Sequence, residues 1–371
     1  MKKRIFIFTG MIAVSFMLAS WGWEGHNKIN TDAALSFNQQ MNQFNAWTTI
    51  LAAHASDADN RKSPENPTEA PKHYIDIDSY NQFIYTGRIP QTLDSVIAIY
   101  GESFVYGNGI LPWATVATFD SLRNCFQRHD WDKAVLFAAD LGHYVGDGHM
   151  PLHITQNYNG ENTGNNGIHS RYESTMIDTY VGQINYTGSS VEVIPNVNQY
   201  VFNYLYTNYT YIDSVLLADD YAKSINSNTH SAEYKEALWN RTKYFTTLLF
   251  KNASHALAEL IYTAWVQAGS PIMGSSSIFT PFGKNQGYLE QNMPNPFSNS
   301  TRINYSLNEK SNILLQVYNT AGSPVETLFR GYESGGSHSI DWHPQDLPSG
   351  IYYLVLNTET TKQIKKMFLV K

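Results

Sequence analysis

The sequence predicts a mainly α-helical domain followed by a small all-β sandwich. Between residue 21 and about residue 270, apolar residues recur at intervals of three and four, as they do on one face of an α-helix. After residue 290, short alternating segments are separated by Gly, Pro and Asn turns. A Gly-, Ser- and Pro-rich stretch lies between the two patterns. We therefore predict a helical domain over 21–272, a linker over 273–289 and a β-sandwich over 290–371.

Within the helical domain, three segments carry the clearest helical periodicity: 31–55, 131–147 and 233–269. The last of these ends at Gly269 with Pro271 just beyond, as expected at a helix terminus. The Tyr- and Asn-rich segment 197–213 is ambiguous, and we interpret it as short helices and loops. In the β region the predicted strands are 301–307, 312–320, 336–342, 350–358 and 363–371.

The first twenty residues have the organisation of a secretory signal peptide. Three basic residues at positions 2–4 precede an apolar run, and the small residues Ala19 and Ser20 follow it. A membrane anchor is the competing interpretation, but the run is short for a membrane span. We predict cleavage after Ser20, so that Trp21 begins the mature chain, and no stable membrane span.

Charge and cysteine content limit the classes of function. The chain has 25 basic and 32 acidic residues, and removal of the leader leaves 22 and 32, a net charge of −10. An acidic surface is a poor platform for long duplex nucleic acid, although it allows a nucleotide at a local cationic site. Cys125 is the single cysteine, so no intrachain disulfide can form.

The stretch 140–174 holds four of the twelve histidines. His143 stands four residues before Asp147, and His169 stands four before Glu173, so each pair shares one face of a helix. His153 follows Pro151, where a bent chain can bring in a further ligand. One such pair alone is typical of a solvated ion pair, but two pairs with His153 favour a metal site. His149 lacks a helical partner and is predicted to be a loop residue.

Other ligand candidates lie upstream. The acidic segments 54–59 and 73–78 offer His54, Asp57 and Asp59, and then His73, Asp76 and Asp78. Alone, such segments are usually solvated turns. At the predicted mature start, the α-amino group and carbonyl oxygen of Trp21 can chelate an ion, and His26 follows five residues later. A buried aromatic terminus is the ordinary alternative.

Together these motifs resemble the superfamily of bacterial zinc-dependent phospholipase C and fungal single-strand-specific zinc nucleases. The matching elements are the Trp-Gly start with its following His, an Ala-Asp, "HYVGDGHMPLH" and "HSRYE". The resemblance implies three zinc ions at the bottom of a cleft in a mostly helical domain. The implied ligands are Asp59, His73, His143 and Asp147 for the first ion, His153, His169 and Glu173 for the second, and Trp21, His26 and the shared Asp147 for the third. Asp57 is the alternative to Asp59.

The resemblance also implies a mechanism, in which zinc-bound hydroxide attacks a phosphodiester with Asp59 as the catalytic carboxylate. It implies a phosphate contact for Lys62, and base contacts for Tyr74 and Asp76 as in the nucleases. Glu173, the wording "HSRYE" and the short interval between His153 and His169 favour a phospholipid head group. The spacing from Trp21 to His26, with Tyr74 and Asp76, favours single-stranded nucleic acid or a 3′-nucleotide. A secreted metal-binding protein without catalysis is a third hypothesis.

The C-terminal region resembles the sorting domain of the type IX secretion system over about residues 290–371. The matching segments are "QNMPNPFSNSTRINYSL", "VYNTAGSPVETL", "DLPSGIYYLVL" and "KKMFLVK". This resemblance implies the type IX secretion machinery as a partner. It implies a protein that is secreted or attached to the cell surface.

Overall fold

The computed structural model describes residues 22–273 and 288–370, apart from 308, 321–322, 345–346 and 359–361. The predicted signal peptide, Trp21 and most of the predicted linker lie outside the described residues. The chain divides into two compact units, residues 1–274 and 275–371. The first unit is mostly helical and the second is all-β, so the predicted fold class is confirmed.

The helices of the first unit, with short 3₁₀ turns between several of them, are α1 (Gly22–Ala33), α2 (Thr48–Ala53), α3 (Asp57–Asn60), α4 (Asn81–Thr86), α5 (Leu93–Tyr100), α6 (Glu102–Gly107), α7 (Leu111–Gln127), α8 (Trp131–Gly148), α9 (Ile168–Ser170), α10 (Ile177–Tyr180), α11 (Val197–Tyr209), α12 (Ile212–Ile225) and α13 (Ala232–Gln267). A π-helical turn, Arg171–Met176, joins α9 to α10. Segment 197–213 forms the whole of α11 and the start of α12, so the prediction of short helices and loops there was wrong. Its buried residues, which include Val201, Phe202 and Leu205, recur at helical spacing among the tyrosines and asparagines.

Helix α8 lies at the centre of the site region. Its N-terminus is capped by the Asp130 side chain, which accepts a hydrogen bond from the Lys133 amide at 3.4 Å.

Two glycines on α8 let α1 approach closely. A Cβ at Gly142 would lie 2.3 Å from the Asn30 side-chain oxygen, and one at Gly146 would lie 3.0 Å from Nδ1 of His26. Small residues at these two positions therefore bring His26 to the C-terminal turn of α8.

The second unit contains two antiparallel sheets around one apolar core. The strands are β1 (Tyr288–Leu289), β2 (Thr301–Leu307), β3 (Ser311–Tyr318), β4 (Pro324–Glu333), β5 (Gly336–Trp342), β6 (Gly350–Asn357) and β7 (Lys362–Leu369). One sheet has the order β1-β2-β5 and the other β4-β3-β6-β7. All five predicted strands form, and β1 and β4 are additional. Alternate residues of β2, among them Ile303 and Tyr305, are buried in the core between the sheets.

Among the described residues, no helix is both long enough and apolar enough to span a membrane.

Candidate metal centre

Four of the predicted ligands converge on one buried point of the helical unit. His143 and Asp147 lie on α8, His73 ends a 3₁₀ turn, and Asp59 belongs to α3. Nδ1 of His73 lies 3.0 Å from Nε2 of His143 and 3.0 Å from Oδ2 of Asp147. Nε2 of His143 lies 3.4 Å from the same oxygen of Asp147. Oδ1 of Asp59 lies 3.5 Å from each of the two ring nitrogens.

These separations match the spacing of ligand atoms around a zinc ion. Ligands at roughly 2.0–2.1 Å in tetrahedral geometry are about 3.3 Å from one another, and the five separations here lie between 3.0 and 3.5 Å. The donor set of imidazole and carboxylate is also one that zinc prefers. These residues therefore fit a zinc ion.

The second group of predicted ligands adjoins the first. Nε2 of His169 lies 3.0 Å from Oε1 of Glu173, and Nε2 of His153 lies 3.3 Å from Oε2 of the same carboxylate. The rings of His153 and His169 stack with centroids 4.9 Å apart. Nδ1 of His153 lies 3.5 Å from Oδ1 of Asp147, so Asp147 contacts both groups. All three residues of this second group are buried.

His26, predicted to bind a third ion, lies beside the first group. Its Nε2 is 3.5 Å from Oδ1 of Asp147, and its ring stacks on that of His143 with centroids 3.9 Å apart. Ligand atoms of His26, Asp59 and His143 lie within 4.8 Å of one another. The other predicted ligand of this ion, Trp21, lies outside the described residues.

Hydrogen bonds to backbone carbonyls orient two of the ligand histidines. Nδ1 of His143 donates to the Ala55 carbonyl at 2.8 Å, and Nδ1 of His153 donates to the His73 carbonyl at 2.7 Å. Each bond places a ring proton on Nδ1, so that Nε2 is the nitrogen that faces the carboxylates. Metal-bound histidines commonly have such an outer partner.

Electrostatics favour a cation at this point. Asp147 and Glu173 are almost completely buried, and buried carboxylates need compensating positive charge. Burial favours the neutral form of His143, yet Asp147 and Asp59 raise its pKa to about 9. Burial opposes ionisation of Asp147 as well, but His143 and His153 hold its pKa well below the usual range. A divalent cation would meet the same demand for positive charge.

The structure separates Asp59 from its alternative, Asp57. Asp57 accepts a hydrogen bond from His54 at 2.6 Å, and 43% of its side chain is exposed. Asp59 instead faces His73 and His143, with the Lys62 ammonium 2.6 Å from its Oδ1. This geometry favours Asp59 as the ligand candidate and places Lys62 at the edge of the centre.

Tyr74 and Asp76, predicted to contact substrate, follow His73 directly. The Tyr74 hydroxyl donates to the Gly107 carbonyl at 3.2 Å. Burial, with the nearby charge of Asp78, raises the pKa of Asp76 to about 7. Burial and then the charge of Asp76 raise the pKa of Tyr74, and burial followed by the charges of Glu161 and Asp76 raises the pKa of Tyr158. The structure therefore brings Tyr158 into the neighbourhood of Tyr74 and Asp76.

His149 is not part of the centre, and it lies in the turn that follows α8, as predicted for a loop residue. It is buried at the C-terminal end of α8, where its Nδ1 donates to the Val145 carbonyl at 2.8 Å. Its ring lies on that of Tyr204, with centroids 4.5 Å apart. Burial lowers its pKa to about 4, so the side chain is neutral near pH 7.

Sequence analysis missed two residues near the centre, Glu69 and Tyr158. The buried Glu69 carboxylate accepts hydrogen bonds from the Tyr144 hydroxyl at 2.6 Å and from Lys72 at 2.8 Å, and lies 3.7 Å from Nε2 of His73. It stands four residues before His73, a spacing that matches the recognised pairs. The Tyr158 ring meets that of His169 edge-on at 5.7 Å, and only its place between His153 and His169 hints at this.

Solved structures resemble the chain, and its C-terminal region matches a family model. The alpha-toxin of Clostridium absonum shares 10% identity at a TM-score of 0.43, covering 94% of this chain and 96% of the toxin. An alpha-toxin of Clostridium perfringens from an avian strain shares 11% identity at a TM-score of 0.44, covering 93% and 96%. No curated protein matches the chain in sequence. Residues 293–371 match the family model described as a secretion system C-terminal sorting domain, so the β-sandwich unit is a sorting domain that directs secretion or export to the cell surface.

Proposed function

We propose that the helical unit is a zinc-dependent phosphodiester hydrolase of the phospholipase C type. The observation that carries this proposal is the set of five separations, each between 3.0 and 3.5 Å, among ligand atoms of Asp59, His73, His143 and Asp147. A second buried group of His153, His169 and Glu173 adjoins this set through Asp147. Neighbouring ion sites that share a carboxylate are typical of enzymes that hydrolyse phosphate esters.

Zinc would neutralise charge on the phosphate and lower the pKa of a water molecule toward neutrality. The protein's own residues would position the reactants. Burial disfavours the Asp59 carboxylate, but His143 and Lys62 hold its pKa well below the usual range, so it is ionised near pH 7. Asp59 would accept a hydrogen bond from the attacking water and orient it in line with the leaving oxygen. Lys62, beside Asp59, would contact a phosphate oxygen.

We propose a phospholipid as the substrate. Glu173, the segment "HSRYE" and the short chain between His153 and His169 support this choice through the resemblance described above. The neighbourhood of Tyr74, Asp76 and Tyr158 supports a second candidate, single-stranded nucleic acid or a 3′-nucleotide. Aromatic rings stack on nucleobases, and a carboxyl group can hydrogen-bond a base edge.

A comparison of three substrates tests the proposal. The full chain would be assayed on phosphatidylcholine vesicles, single-stranded DNA and a 3′-nucleotide, each with and without a chelator. We expect phosphatidylcholine to be hydrolysed fastest to diacylglycerol and phosphocholine, with loss of turnover on chelation and recovery with added zinc. Faster cleavage of DNA or the nucleotide would support the second candidate. Absence of all three activities in zinc-loaded protein would support a non-catalytic metal-binding protein.

A further inference from the structure

An ion pair with a buried carboxylate adjoins the helical turn that carries His169 and Glu173. Arg171 stands between these two ligand candidates in sequence, and its side chain contacts the buried carboxylate of Asp219 on α12. Its Nη2 lies 2.9 and 3.0 Å from the two oxygens of Asp219. Its Nε donates to the Tyr234 hydroxyl of α13 at 2.9 Å. This pair therefore ties the turn to two long helices.

The same pair holds the loop 157–167, which precedes this turn. Arg171 donates to the backbone carbonyls of Asn166 at 2.7 Å and Asn165 at 3.2 Å. The Asn165 side chain donates to Asp219 at 2.8 Å. A Cβ at Gly167 would lie 2.8 Å from Nη1 of Arg171, so the glycine leaves room for the guanidinium. Tyr158, whose ring contacts His169, belongs to this loop.

His169 depends on such external support more than His143 and His153 do. His143 and His153 each donate an Nδ1 hydrogen bond to a backbone carbonyl. Nδ1 of His169 is buried and has no hydrogen-bond partner in the part of the chain that the structure describes. The orientation of its ring is therefore set by the backbone of its turn and by the rings of His153 and Tyr158 packed against it.

We infer that Asp219 and Arg171 are positioning residues for the metal ion held by His153, His169 and Glu173. This inference rests on the proposed function, since it requires that these three residues bind zinc. The ion pair fixes both the turn that presents His169 and Glu173 and the loop that packs against His169. Loss of the pair would misalign the second group of ligands without removing any of them.

The test measures zinc affinity and needs no substrate. Full-length wild type, Asp219→Asn and Arg171→Lys would be stripped with chelator and titrated with zinc against a competing chelator. Asp220→Asn is the matched control, because Asp220 is exposed and also accepts from Asn165, at 2.8 Å, but receives no hydrogen bond from Arg171. Mutation of outer partners of metal ligands lowers metal affinity by roughly 10–100-fold. We expect a loss of about tenfold for one zinc equivalent in Asp219→Asn, with the other equivalents unchanged.

Arg171→Lys keeps the positive charge but lacks the planar fork that reaches several acceptors, so a smaller loss at the same equivalent is expected. If Asp219→Asn fails to fold, as judged by thermal unfolding in chelator, the zinc affinity of Arg171→Lys tests the inference instead. Unchanged zinc affinity in the folded variants, or an equal loss in Asp220→Asn, would overturn the inference. If the wild type binds no zinc, the proposed function itself fails, and the two failures are thereby distinguished.

Discussion

The two groups of ligand candidates are assembled in different ways. Asp59, His73 and the α8 pair His143 and Asp147 come from three separate segments, and tertiary packing brings them together. The second group is largely local, since His169 and Glu173 lie one helical turn apart. Each group contains one histidine held by a backbone carbonyl, His143 in the first and His153 in the second, whereas His169 depends on more distant side chains. Side-chain substitutions outside the centre should therefore disturb His169 more than His143 or His153.

Substitution of Asp147 should affect both groups of ligand candidates. It contacts His26, His73 and His143 on one side and His153 on the other, and it is fully buried. Mutation of outer partners alone lowers activity by roughly 10–100-fold, so we expect Asp147→Asn to lower turnover by about 1,000-fold and to reduce zinc content in both groups. Elemental analysis of the purified variant and a phosphodiesterase assay would check this. Full zinc content would show that Asp147 is not shared.

Asp59 offers a change confined to the first group. As the carboxylate that orients the attacking water, it contributes roughly 10²–10⁴-fold to turnover if it acts as a general base. We expect Asp59→Asn to lower turnover by about 100-fold while the second group keeps its zinc. Asp57→Asn is the matched control, since Asp57 pairs with His54, and it should keep turnover near that of the wild type. If Asp57→Asn lost turnover and Asp59→Asn kept it, Asp57 rather than Asp59 would be the catalytic carboxylate.

The choice between Asp57 and Asp59 illustrates what the sequence can reveal. Segment 54–60 has acidic residues two apart, and only the fold shows that one faces His73 while the other faces solvent. The His143–Asp147 and His169–Glu173 pairs could be predicted, because four-residue spacing on a helix fixes proximity by local geometry. Convergence of these pairs with His73 depends on long-range packing, which spacing does not encode.

Fold class was predictable for a similar reason. Periodicity of three to four residues and alternation with period two are local signals, and they identified both units. Strand β4 was missed because all of its residues are at least partly exposed, so its apolar alternation is weak. Segment 197–213 was misjudged because tyrosine and asparagine dilute the apolar face, although Val201 and Leu205 still recur at helical spacing. The Arg171–Asp219 pair joins residues 48 positions apart, and no pattern in the sequence predicts it.

Asp76, outside both groups, should make the stability of the protein depend on pH. Its folded-state pKa of about 7 lies above the ordinary value of 3.8, chiefly because it is buried. The folded state therefore holds this proton more tightly than the unfolded state does, and stability falls as pH rises from about 4 to about 7. We expect Asp76→Asn to be more stable than wild type at pH 8 but not at pH 4, by urea unfolding in chelator. The exposed Asp213→Asn is the control. If Asp76→Asn were more stable than wild type by the same amount at pH 4 and pH 8, the raised pKa of Asp76 would be contradicted.

The smallest effect is expected at His149. This buried histidine lies near the two ligand groups but belongs to neither, so its substitution tests whether any buried histidine nearby affects zinc binding. His149→Phe keeps a ring against Tyr204 but loses the hydrogen bond to the Val145 carbonyl. Loss of one such bond costs about 1 kcal/mol of unfolding free energy, while zinc content should equal that of the wild type. His169→Phe, measured in parallel by elemental analysis, should lose one zinc equivalent. If His149→Phe also loses zinc, the boundary of the second group is wrong, because a neutral imidazole bonded to the preceding helix would then belong to the centre.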